Sequence, residues 1–103
     1  MVLLELSVTP MGAGESVSAE VARCVEVIEA SGLPFELHAM GTIVEGELDE
    51  VLGVMRRCIE KVAENHPRVT CAAKVDYRHG AAGRMRGKVE SVERRLGRRA
   101  DPQ

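Results

Sequence analysis

Two carboxylates raise the first chemical question. Phe35–Ala39 and Thr42–Glu45 flank Met40-Gly41, and the pattern predicts two strands joined by a two-residue turn at Met40-Gly41. In that register Leu37 opposes Val44 and Glu36 opposes Glu45. Like charges directly opposite each other on a sheet destabilise it by roughly a few tenths of a kcal/mol to about 1 kcal/mol. A compensating group is therefore expected: Lys74, an arginine of another subunit, a bound cation or a raised carboxyl pKa. The competing reading is an exposed pair screened by water.

The remaining reactive side chains form no motif. His38, His66 and His79 have no metal-ligand spacing to one another or to the cysteines. Ser16 has no paired His and Asp close by in sequence, so nucleophilic catalysis is unsupported. Gly12-Ala-Gly14 precedes a helical pattern but lacks the third glycine of a dinucleotide loop and the Gly-Lys-Ser/Thr of a phosphate loop. Cys24, Cys58 and Cys71 are odd in number, contain no C-x-x-C and fall in apolar patterns. They read as buried small hydrophobes of a protein in a reducing cytoplasm.

A small fold must position these groups. The 103 residues predict one domain over 1–103. Hydrophobic residues make up 45% and charged residues 29%, a folded rather than a disordered composition. One Phe, one Tyr and no Trp leave an aliphatic core and almost no platform for stacking bases. A formal net charge of −2 argues against general nucleic-acid or membrane affinity. No apolar run approaches the roughly 18 residues of a membrane span. Val2-Leu3-Leu4-Glu5-Leu6 has no Lys or Arg before it and contains a glutamate, unlike a secretory signal.

Val2, Leu4, Leu6 and Val8 alternate as a strand ended by Pro10. Ser16 stands where a helix cap is expected, Val17, Val21, Cys24, Val25 and Ile28 follow at helical spacing, and Gly32 stops that helix. After the hairpin, Leu48, Val51, Leu52, Met55, Ile59 and Val62 line a second helix whose start is crowded with Glu47, Asp49 and Glu50. Val69, Cys71, Ala73, Val75 and Tyr77 form a fourth strand, and Met85, Val89, Val92 and Leu96 line a third helix that ends among arginines. The order βαββαβ plus a C-terminal helix predicts an α+β, ferredoxin-like sandwich.

In such a sandwich the helix-facing side of the sheet carries Val2, Leu4, Leu6, Val8, Phe35, Leu37, Val44, Val69, Cys71, Ala73 and Val75. The other side carries Leu3, Glu5, Ser7, Glu36, His38, Ile43, Glu45, Thr70, Ala72, Lys74 and Asp76. That half-apolar set suits a sheet stacked on a second subunit, with polar groups left over for a site. Charge is also uneven: residues 1–60 hold 11 Asp and Glu against 3 Lys and Arg, and residues 84–99 hold 7 Lys and Arg against 2 Glu. Self-association of acidic against basic surfaces is one consequence, and a nucleic-acid contact by the basic helix is another. An RNA-recognition domain shares the element order but needs aromatics on the open sheet face, and this sequence places none there.

Several segments resemble the small thiamine-binding, YkoF-like family. They are Thr9-Pro10-Met11-Gly12 with Ser16 and Ser18, Met40-Gly41-Thr42 followed by Glu45-Gly46, Leu48-Asp49-Glu50-Val51, Lys74-Val75-Asp76-Tyr77-Arg78, and Arg86-Gly87-Lys88-Val89-Glu90-Ser91-Val92. The resemblance spans nearly the whole chain in order and departs at His79–Gly83. It implies a ferredoxin-like fold with an added helix, dimers built by sheet extension, and tetramers built by sheet stacking. It also implies non-enzymatic binding of thiamine or its hydroxymethylpyrimidine part, with Ser16, Ser18, Met40, Gly41, Thr42 and Glu45 as the site. A carboxylate such as Glu45 suits the pyrimidine edge or the thiazolium charge, Met40 offers a polarisable wall, and the hydroxyls donate and accept. The expectation is a cytoplasmic homo-oligomer that binds this small molecule at a subunit interface, with no cofactor, metal, nucleic acid or membrane involved. The alternatives are a regulatory module holding another small molecule between subunits, and an enzyme whose residues assemble only in the oligomer.

Overall fold

Strand β1 (Val2–Pro10) lies inside a four-stranded antiparallel sheet of order β2-β3-β1-β4. The computed structural model describes residues 1–12, 14, 17–80 and 83–100. After β1 come α1 (Ser18–Ser31), β2 (Phe35–His38), β3 (Gly41–Gly46), α2 (Leu48–Ala63), β4 (Val69–Tyr77) and α3 (Arg84–Leu96). This is the ferredoxin-like sandwich that the pattern predicts: each of the first two helices links parallel strands with an antiparallel strand between them.

The period-two residues of β1 produce the core. Val2, Leu4, Leu6 and Val8 are buried against Cys24 and Ile28 of α1 and Val51, Val54, Cys58 and Val62 of α2. Val44 joins them from β3, with Phe35, Val69 and Cys71 packed at the margins. Each fully buried aliphatic side chain contributes roughly 1.5–3 kcal/mol relative to exposure. Helix α1 stops at Gly32, which takes the left-handed conformation (φ +75°). Its N-cap is Val17, not Ser16, which lies outside the described residues. Helix α2 is capped by a reciprocal arrangement in which the Glu47 amide donates to Oε1 of Glu50 at 2.9 Å.

The hairpin differs from expectation. His38 pairs with Gly41, so the two turn residues are Ala39 and Met40, and Gly41 belongs to β3. Leu37 then opposes Thr42, Phe35 opposes Val44 and Glu36 opposes Ile43. Glu45 opposes Leu3 of β1 instead of Glu36, and the expected like-charge pair does not form. Backbone packing explains the change. A Cβ on Gly41 would sit 2.8 Å from the Leu6 carbonyl oxygen, so this close approach of β3 to β1 requires glycine. The imidazole of His38 completes the turn, its Nδ1 accepting from the Met40 amide at 3.2 Å. The shift is by two residues, which leaves every side chain on its expected face.

The third helix covers one end of the outer sheet face. Leu3 has Glu45 on one side and Asp76 on the other, and α3 lies over this row. Glu45 is only 4% exposed; its Oε2 accepts from the Gly83 amide at 2.7 Å and its Oε1 from the Met85 amide at 2.9 Å. Asp76 accepts from Nη2 of Arg84 at 2.7 Å and pairs with Lys88, while Nη1 of Arg84 reaches the Asp76 carbonyl at 2.8 Å. These cations hold the Asp76 carboxyl at about 2, Lys88 contributing most. The counter-charge expected for Glu45 is thus the positive N-terminus of α3.

Candidate functional site

Beneath the β2–β3 turn lies a cleft of about 180 Å³ between α1 and the inner sheet face. Its walls are Leu6, Val8, Val17, Val21, Cys24, Ile28 and Leu37, and its mouth carries Ser7, Thr9 and His38 through Thr42. The strand period directs Leu6 and Thr42 inward side by side, and helical spacing lines up Val17, Val21, Cys24 and Ile28 opposite them. Thr42 is buried, whereas Met40 at the turn is 83% exposed. Met40 also borders a second hollow of about 190 Å³ on the outer face, with Glu5, Ser7, Ala72 and Lys74.

Of the six residues singled out by resemblance, Met40, Gly41 and Thr42 gather at the cleft. Ser18 is the first residue of α1, exposed and not a lining residue. Ser16 lies outside the described residues. Glu45 sits on the opposite sheet face with both carboxylate oxygens taken by α3.

The carboxylate nearest the turn is Glu5. It pairs with Lys74 across the β1–β4 ladder, and its Oε2 lies 3.5 Å from Nε2 of His38. Because Nδ1 of His38 accepts from the Met40 amide, a neutral imidazole carries its hydrogen on Nε2. That Nε2 is buried and lacks a hydrogen-bond partner among the described residues, a donor unused next to the cleft. Sequence reasoning did not place Glu5 and His38 beside the candidate site; the available signal was that His38 stands two residues before Met40 and on the face of Glu5.

The cysteines converge in the core beside the cleft. Sγ of Cys24 donates to the Cys58 carbonyl at 3.9 Å, and Sγ of Cys58 donates to the Cys24 carbonyl at 3.7 Å. The thiol interaction between them lowers the pKa of Cys24 and, with burial, raises that of Cys58; burial also raises Cys71. All three are free; Cys24 and Cys58 are buried as expected, whereas Cys71 is only partly so, and among the described residues no three His, Cys, Asp or Glu side chains are placed to hold a metal ion. Among the described residues no helix is long and apolar enough to cross a membrane.

A ferredoxin-like sheet with an extra helix over its outer face and a cleft under the β2–β3 turn defines a class of small α+β proteins. Residues 4–93 match the profile of the thiamine-binding protein family, and the chain belongs to that family. It is 45% identical to the UPF0045 protein MT1949 of Mycobacterium tuberculosis over 96 residues, covering 92% of this chain and 94% of the relative. The crystal structure of protein MJ1052 from Methanocaldococcus jannaschii superposes with a TM-score of 0.82 at 34% identity, covering 88% of this chain and 94% of that one. A Thermotoga maritima protein provisionally named for thiamine biosynthesis or salvage shares the fold, with a TM-score of 0.77 at 22% identity over 88% of this chain and 97% of that one.

Proposed function

We propose that the chain is a non-enzymatic, cytoplasmic binder of thiamine or a related hydroxymethylpyrimidine, acting as a homo-oligomer. The observation that carries this reading is the cleft itself: apolar walls, a buried threonine and a methionine turn, in a chain of the thiamine-binding family. A flat aminopyrimidine matches the aliphatic walls and takes hydrogen bonds from Thr42 and from the unused Nε2 of His38. Glu5 lines the outer hollow on the other side of the Met40 turn, where it would give negative charge to a thiazolium reaching past that turn, since α3 already occupies Glu45.

A second copy supplies the missing wall. Met40 borders both hollows, and a partner stacked on the outer face would enclose the outer one and cover the turn between them. Val89, Val92 and Leu96 form an exposed apolar stripe along α3, and β4 is an edge strand with Val75 and Tyr77 exposed. These surfaces suit stacking and sheet extension respectively.

Calorimetric titration with thiamine, hydroxymethylpyrimidine and a neutral analogue tests the ligand. Heat from the first two, weakened by Glu5→Gln and by Thr42→Val, is the expected result. No heat from either at protein concentrations near a millimolar overturns the reading, and turnover of thiamine replaces it with an enzyme. Sedimentation showing only an 11.2 kDa species at micromolar concentration removes the subunit-interface part.

A further inference from the structure

A second concavity, remote from the cleft, is lined by cations. It measures about 330 Å³ and is bounded by Arg78, just past β4, and by Arg84, Lys88, Ser91 and Arg94 on one face of α3. Gly83 and Gly87 form its remaining wall, and a Cβ on Gly87 would meet nothing within 4 Å, so the groove stays open along the helix. Among the described residues no acidic side chain lines it.

Its base is rigidly built. Arg84 is only 7% exposed and is fixed by two hydrogen bonds to Asp76, which use two of the five N–H donors of a guanidinium. Lys88 is anchored on the same carboxylate. The backbone of Arg78 is held by its amide, which donates to the Met1 carbonyl at 3.1 Å. Among the described residues neither the Arg78 nor the Arg94 side chain has an ion-pair or hydrogen-bond partner. Arg84 and Lys88 therefore share one carboxylate, Glu90 and Glu93 lie with Arg94 along a separate hollow, and four cations line this groove.

We propose that this groove binds the phosphate groups of a small phosphorylated molecule, with Arg84 and Lys88 as the preset floor and Arg78 and Arg94 closing from either rim. Planar guanidinium forks match phosphate oxygens in pairs, and the Ser91 hydroxyl adds a neutral donor. Size and charge favour a small ligand over a nucleic acid. The groove is short, no aromatic side chain lines it, and the formal net charge of −2 repels a long polyanion. Nothing in this inference depends on thiamine occupying the cleft.

Inorganic pyrophosphate is the probe, titrated calorimetrically into the full chain at low ionic strength. Binding is expected, weakening as salt is added. The Arg78→Gln/Arg94→Gln double variant is expected to bind about tenfold or more weakly, the loss of charge-assisted hydrogen bonds, with an unchanged thermal midpoint. Arg86→Gln, a change to a side chain that pairs with Glu90 and does not line the groove, is expected to bind like wild type. No pyrophosphate heat from the wild type overturns the proposal, as does wild-type affinity in the double variant. Binding of a short RNA without binding of pyrophosphate also overturns it.

Discussion

Replacing Glu45 by glutamine separates a ligand-binding role from a structural one. The carboxylate is buried and its two oxygens accept from the amides of Gly83 and Met85 at 2.7 and 2.9 Å. Glutamine keeps one acceptor and turns the other into an NH₂ facing an N–H, so one charge-assisted bond is lost and two donors meet. A hydrogen bond to a charged group contributes roughly 1.5–3 kcal/mol. The negative charge opposite a helix N-terminus adds about 0.3–1 kcal/mol. The docking of α3 should therefore weaken by about 2–4 kcal/mol, or by its whole docking energy if that is smaller. At about 1.4 kcal/mol per tenfold change, hydrogen exchange of amides 85–96 should speed up by about 30- to 700-fold or reach the unprotected rate. Exchange in α2, on the far side of the sheet, should change little. Hydrogen–deuterium exchange read by mass spectrometry, alongside thiamine calorimetry, decides the matter. Unchanged protection of α3 together with a loss of thiamine affinity would refute this reasoning and return Glu45 to the ligand site.

Other perturbations follow from the same geometry. Gly41→Ala places a methyl group 2.8 Å from the Leu6 carbonyl oxygen, and thermal melts should show a loss of about 1–3 kcal/mol. Asp76 has its carboxyl pKa depressed to about 2 by Lys88 and Arg84, so its stabilising effect is complete above the ordinary aspartate value near 3.9 and is lost as pH falls through about 2. The difference in Tm between wild type and Asp76→Asn should accordingly be full at pH 5 and close by pH 2. In native protein a thiol reagent should modify Cys71 first, because Cys24 and Cys58 are buried and Cys71 only partly so; equal labelling rates at all three would contradict the packing.

Much of the fold was legible because its periods are unambiguous. Val2, Leu4, Leu6 and Val8 alternate into the core as read, whereas the face of α2 was read slightly rotated: Val51 and Val62 are buried, but Val54 and Cys58 join them while Leu48 and Leu52, expected inside, are exposed. The hairpin register was less accessible. Met40-Gly41 has the composition of a turn, but the position of Gly41 is fixed by backbone contact with Leu6, a residue far away in sequence. The structural partners of Glu45 were hidden for the same reason: its amide donors lie up to 40 residues downstream, and no local pattern announces them. Met40 through Thr42, which the structure brings to the cleft, were singled out by resemblance to a family motif. Glu5 and His38 escaped because each looks like an ordinary outward-facing strand residue until the sheet sets them side by side.

The β1–β4 ladder, which runs from Val2 against Tyr77 to Pro10 against Val69, has a consequence for biosynthesis. On the ribosome, β1 can pair with β3 once Gly46 has emerged, but its other flank must wait for Tyr77. At roughly 5–20 residues per second that interval lasts about 2–6 s, with one row of backbone donors and acceptors on an aliphatic strand uncovered. The nascent chain is most vulnerable to mispairing in this window, so slow codons before β4 should lower its yield and trigger-type chaperones should restore it.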